Sequence, residues 1–139
     1  DGSQLAKNVA APERCSKPVI ARLHGYVFGV GLELALACDF RIATQDVQLA
    51  LPEATIGMIP GSGGTQRLAR LVGMGRAKDI IMRGRRVGAE EALAIGLVGS
   101  IVPASELDET VASLVAELAR HSPLALAMAK RVIGQAYEG

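Results

Sequence analysis

Two glutamates stand in this chain where a carboxylate is costly to keep. Glu33 lies in the middle of residues 26–39, Tyr-Val-Phe-Gly-Val-Gly-Leu-Glu-Leu-Ala-Leu-Ala-Cys-Asp, and Glu53 lies in the apolar, turn-rich residues 52–64. An ionised carboxylate among apolar neighbours has to be paired or hydrogen-bonded. The two acids are 20 residues apart, each at a glycine- or proline-marked junction between a strand and a helix or loop. Ends of neighbouring strands meet in space, so both carboxylates can line one pocket. Desolvation and mutual repulsion would then separate their proton affinities and divide acid from base work. The plainer reading makes Glu33 a stray acid at the rim of a core helix and Glu53 a solvated or helix-capping one. A second acid in an equally apolar setting speaks against it.

Glycines supply the other chemical element. Gly25, Gly29 and Gly31 permit a tight loop and close backbone approach, and the Ala/Leu run behind them favours a helix from about residue 30. Glu33 then falls in the first turn, where free N–H groups and the positive end of the helix favour negative charge. Backbone N–H groups there, or in Gly61-Ser62-Gly63-Gly64, could hold an oxyanion. On spacing alone the second string is more simply a tight turn. Nucleotide motifs fail: Leu34 stands where a dinucleotide loop needs its third glycine, and no glycine loop ends in Gly-Lys-Ser/Thr. Nucleophile triads fail too, since Ser62 lacks the Gly-x-Ser-x-Gly setting and only His24 and His121 could act as base. Both histidines are explained as structural residues at element ends.

The elements that must position these groups are read from periodicity. Residues 1–16 look like the tail of a helix broken before Pro12, and residues 17–24 alternate as a strand. The helix from about residue 30 ends near Cys38 and Asp39, followed by strands at 40–43 and 47–51. Helices are predicted at 65–72, 75–83 and 88–94, then a strand at 97–102 closed by Pro103. The last two helices are the clearest. One is capped by Ser105 with Asp108 in the capping-box place; the other opens at Ser122-Pro123 with an apolar stripe of Ala125, Ala129, Val132, Ile133 and Ala136.

Bulk properties narrow the classes. The 139 residues suit one domain, and no apolar run approaches the ~20 residues of a membrane helix. Net charge is +1, which leaves no electrostatic footprint for nucleic acid. The two cysteines, Cys15 and Cys38, have neither metal-site nor redox spacing, and no metal site is expected. They fit a reduced compartment, cytoplasmic or an organelle matrix such as the mitochondrial one. Aromatic residues are 3% with no Trp, which disfavours a glycosidase, the other enzyme class built on paired carboxylates.

Several strings together resemble the enoyl-CoA hydratase/isomerase (crotonase) family. They are residues 17–21 (Lys-Pro-Val-Ile-Ala), residues 25–35 through Glu33, Cys38-Asp39, Pro52-Glu53, Pro60-Gly61 through Gly63-Gly64-Thr65-Gln66-Arg67-Leu68, and residues 92–98. The resemblance implies an α/β fold, a spiral of ββα units of which residues 1–103 are the middle and end, with residues 104–139 beginning a helical C-terminal part. It implies a coenzyme A thioester as substrate, no separate cofactor, and a homo-oligomer, trimer or hexamer. Glu33 matches the glutamate that handles the attacking water, and Glu53 the one that exchanges a proton at the α-carbon. Val30, followed by Gly31, matches the place of one oxyanion N–H, and Gly61 that of an amide positioning the water. Tyr26 and Phe28, in the same block, are expected to bind substrate. Two features depart from the family. Valine at 30 replaces a small residue, and the earlier Ala-Gly-Ala-Asp-like segment that carries the second oxyanion N–H does not occur. The chain therefore reads as the middle of a longer enzyme. The expected reaction is syn hydration of a 2-enoyl-CoA. Double-bond isomerisation, another acyl-CoA reaction, or an inactive scaffold or interaction module are the alternatives.

Overall fold

The computed structural model of the protein describes residues 2–52 and 64–136, the side chains of residues 2 and 3 excepted. Two successive strand pairs set the architecture. Strand β1 (Ile20–Leu23) turns at Gly25 into β2 (Tyr26–Phe28), and helix α2 (Val30–Ala37) returns the chain; β3 (Phe40–Thr44) then turns into β4 (Gln48–Ala50). Gly25 sits at φ 61°, a left-handed value that a side chain would oppose, and its carbonyl accepts from Gln48 N at 2.8 Å, tying one corner to the next. Each strand pairs in parallel with its counterpart one turn later: Ile20 faces Phe40, and Tyr26 faces Gln48. One turn of the spiral is thus 20 to 22 residues.

Two three-stranded sheets result. One runs β1-β3-β6, with β6 at Ser100–Val102; the other runs β2-β4-β5, with β5 (Val87–Gly88) antiparallel to β4. Helices α3 (Gly64–Val72), α4 (Met74–Arg83) and α5 (Ala89–Ala94) cover them. The core is aliphatic, built around Val47, Leu49, Leu51, Leu68, Ile80 and Leu97. Its lack of aromatics makes close packing depend on branched side chains in register. No helix among the described residues is long and apolar enough to cross a membrane.

Three expectations are corrected. Helix α1 (Gly2–Arg14) runs through Pro12 instead of ending before it. Proline there takes the helical donor from the Asn8 carbonyl close to the helix end, and Lys130 Nζ donates to the Pro12 carbonyl, one of the last four of the helix, at 2.7 Å. The strand expected over 97–102 starts at Ser100, because Leu97 N and Val98 N turn back onto Ala92 O at 2.9 and 3.2 Å. Ser105 does not cap α6 (Leu107–Ala119): Pro103 introduces a 3₁₀ turn over Ala104–Glu106, and the helix starts without a side-chain cap. Asp108 instead pairs with Arg22 of β1 at 2.7 Å.

In α7 (Pro123–Gln135), Ser122 caps the helix as expected, its Oγ accepting from Ala125 N at 3.2 Å. The predicted stripe is exposed, without a partner among the described residues, and Leu126, Ala127 and Lys130 face the body. Lys130 Nζ meets Asp39 Oδ2 at 2.8 Å and the Lys17 carbonyl at 3.0 Å, so an ion pair rather than an apolar seam fixes this helix.

A fork of charges joins α4 to α5. Arg85 grips Glu91 through both nitrogens at 2.8 and 2.7 Å, and its Nε meets Asp79 at 2.6 Å. Hydrogen bonds from Arg83 and Arg85 hold Asp79 below the usual carboxylate range, and the Arg85 hydrogen bond does the same for Glu91. Depressed carboxylates stabilise the fold fully above their unfolded pKa values and lose that contribution as pH falls through the folded ones. The Arg85→Met protein is expected to melt below wild type at pH 7, with the gap closing as pH drops below about 4. Melting curves of the two proteins across that range check it.

Candidate active site

Helix α2 begins at a glycine because no other residue fits. Gly29, its N-cap, has φ 58° and ψ −123°, and its N–H donates to Ala50 O of β4 at 3.0 Å. That bond fixes the start of α2 against the end of the neighbouring parallel strand. Glu33 N donates to Gly29 O at 2.9 Å, closing the first helical turn. The N–H groups of Val30, Gly31 and Leu32 precede it and have no intrahelical acceptor. Val30 is half exposed, and among the described residues nothing lies within 4 Å of a methyl group placed on Gly31.

Glu33 is buried at 2% exposure, beside Leu32 at 1% and Ala35 at 3%. Its side chain packs against the first residue of α3: a methyl group on Gly64 would stand 2.7 Å from Glu33 Cγ and 3.1 Å from Oε1. The carboxylate therefore lies between the first turns of α2 and α3. Thr44, at 1% exposure, is the other buried polar residue among those described, and its hydroxyl donates to the Asp46 carboxylate at the β3–β4 corner. That bond holds Asp46 below its ordinary range.

The expected site residues fall into three sets. Val30, Gly31 and Glu33 share the first turn of α2. Tyr26 and Phe28 share the outward face of β2, since Val27 between them is buried; their rings are 5.4 Å apart, and the Arg86 guanidinium lies 5.3 and 5.1 Å from them. Glu53 and Gly61 lie outside the described residues. Sequence reading missed the part played by Gly64, for which the doubled glycine at 63 and 64 is the trace. Both histidines are exposed. Cys15 and Cys38 are free thiols; burial pushes the Cys38 thiol up, and it donates to Leu34 O at 3.4 Å. No cluster of metal-ligating side chains occurs among the described residues. A cleft of about 810 Å³ between α1 and α7, bordered by Glu13, Cys15, Arg70 and Met128, includes none of the described site residues Tyr26, Phe28, Val30, Gly31 and Glu33.

An acid buried at a helix start, beside N–H groups without intrahelical acceptors, can exchange a proton with a molecule whose oxyanion those N–H groups hold. Comparison with known proteins places this arrangement. A family model for enoyl-CoA hydratase/isomerase matches residues 2–138. The short-chain-enoyl-CoA hydratase of Clostridium acetobutylicum is 43% identical over 123 residues, which are 88% of this chain and 47% of that protein. The 2,3-dehydroadipyl-CoA hydratase of Escherichia coli K12 is likewise 43% identical over 123 residues, 88% of this chain and 48% of its own length. Among solved structures, enoyl-CoA hydratase from Bacillus anthracis superposes with a TM-score of 0.93 at 44% identity, over 96% of this chain and 52% of that one. A Thermobifida fusca protein solved in complex with CoA superposes at 0.95 with 33% identity, over 99% and 54%. The chain spans about half the length of the curated relatives it matches. With the parallel two-sheet spiral and the match along almost its whole length, the chain belongs to the enoyl-CoA hydratase/isomerase family and has the crotonase fold.

Proposed function

We propose that this chain carries the acid–base centre of an enoyl-CoA hydratase, which adds water reversibly across the double bond of a 2-enoyl-CoA thioester. The observation that carries the reading is Glu33, buried in the first turn of a helix whose leading N–H groups have no intrahelical acceptor. Glu33, ionised, takes a proton from water as the hydroxyl oxygen bonds to the β-carbon. Electron density moves through the α-carbon to the thioester oxygen, where the Val30 N–H stabilises it. Glu53, protonated, returns a proton to the α-carbon, so a saturated 3-hydroxyacyl-CoA results and one proton has passed from one acid to the other.

Three things support this reading. Relatives named for hydration of acyl-CoA thioesters are 43% identical. A neighbour of the same fold was solved in complex with CoA. The chain leaves β4 at Ala50, in register with Phe28, and Glu53 follows three residues on. The two acids therefore follow neighbouring parallel strands. Gly61 as the water-positioning amide, Tyr26 and Phe28 as substrate contacts, and assembly as a homo-oligomer belong to the same proposal. The apolar face that α7 leaves open, Leu124, Met128, Val132 and Ile133, suits such assembly.

The test offers 2-enoyl-CoA and 3-enoyl-CoA thioesters to the full-length protein that carries this chain. Formation of 3-hydroxyacyl-CoA from the 2-enoyl substrate is the expected result. Double-bond migration without any hydroxyacyl product would overturn the proposal in favour of an isomerase.

A further inference from the structure

We propose that Gly64 is a positioning residue for Glu33: the missing side chain at the start of α3 sets where the buried carboxylate stands. The inference deepens the proposed hydration reading and, in its activity arm, rests on it. A methyl group on Gly64 would lie 2.7 Å from Glu33 Cγ and 3.2 Å from Cδ, closer than carbon atoms pack. Relief cannot come cheaply from the acid. Cγ is the second carbon of the side chain, so moving it means rotating χ1 inside a closely packed interior at 2% exposure.

Neither backbone yields easily. Helix α2 is held at its start by the Gly29–Ala50 bond, and near its end Arg41 donates to the Ala35 and Cys38 carbonyls. Helix α3 is held by Leu68 and Val72, both buried. With both backbones held, a side chain at 64 would force that costly χ1 rotation and displace the carboxylate. Other helical glycines differ: among the described residues, nothing lies within 4 Å of a would-be methyl group on Gly31, Gly75 or Gly134.

The experiment is a double-mutant cycle in the full-length protein, comparing wild type, Gly64→Ala, Glu33→Ala and the double variant, with Gly75→Ala as a helix control. Overpacking predicts that Gly64→Ala lowers the melting temperature by roughly 5 °C. In the Glu33→Ala background the same change is expected to cost nothing or to raise it, since the clashing atoms are gone and alanine favours a helix. In the Glu33 background Gly64→Ala is expected to lower kcat about 100-fold, with KM changed less than about threefold. Gly75→Ala should melt at or slightly above wild type, since alanine favours a helix, with kcat unchanged. An equal melting loss in both Glu33 backgrounds, or a kcat within about twofold of wild type, would overturn the inference. Should Gly64→Ala not fold, folding of the double variant supports the inference and its failure overturns it. The melting arm makes no use of the reaction. Coupling without hydration would therefore sink the functional reading alone, and hydration without coupling would sink the positioning role alone.

Discussion

Glu33→Gln in the full-length protein is expected to lower kcat for hydration of crotonyl-CoA by about 10²–10⁴-fold, the usual worth of a positioned general base. Glutamine keeps the side-chain length and the contact with Gly64, so packing is preserved where alanine would open a cavity. It removes the ability to accept a proton from water while leaving the α2 N–H groups in place. Substrate affinity therefore changes little, and the loss falls on kcat. Thermal melting read beside the kinetics separates a lost base from a lost fold. A buried amide in place of a carboxylate also relieves desolvation, so melting at or above wild type is expected. Hydration at the unmutated rate would remove Glu33 from the mechanism and with it the centre of the proposed function.

How far the site was readable from sequence follows from which interactions are local. Glu33, the glycines before it and the start of α2 were legible because a helix start is written in a few consecutive residues. The Glu33–Gly64 contact was not, because it joins residues 31 positions apart through the packing of α2 on α3. Strands β2 and β5, three and two residues long, also escaped notice. Neither is long enough to show alternation, and both exist by pairing with β4. The inward face of α7 went unread for a related reason. Lys130 reads as a solvent residue until Asp39 and two backbone carbonyls are brought to it by chain more than 90 residues away. Charged groups with distant partners and very short strands are tertiary facts, whereas capping glycines and helical periodicity are local ones.

The largest stability effect is expected at Arg41, a β3 residue that does no chemistry. Its Nη1 donates to Cys38 O at 2.8 Å and Ala35 O at 3.2 Å, and its Nε donates to Leu97 O at 2.9 Å. Two of those carbonyls belong to the last turn of α2, where a helix presents unpaired acceptors and partial negative charge. The third belongs to the turn that leads into β6. One guanidinium thus satisfies the end of the helix that carries Glu33 and ties it to the chain entering the neighbouring strand. Burial pushes its pKa down, yet a guanidinium keeps its charge at neutral pH. Arg41→Met retains much of the side-chain volume but takes the donor from the Cys38 and Leu97 carbonyls, while the Ala35 carbonyl keeps the Cys38 N–H at 3.1 Å. At about 1–3 kcal/mol for each buried polar group left unmade, partly offset by water, the net loss is about 2–4 kcal/mol. The melting temperature should fall by roughly 10 °C. Arg41→Lys should recover less than half, because one ammonium cannot reproduce the planar fork. The acceptors are neutral and partly buried, so the loss should be nearly the same in low and high salt, unlike that of Arg85→Met at the exposed fork. Melting of the three proteins in both salts decides it: a salt-dependent loss, or full rescue by lysine, would mean that Arg41 acts through charge alone and not by closing the end of α2.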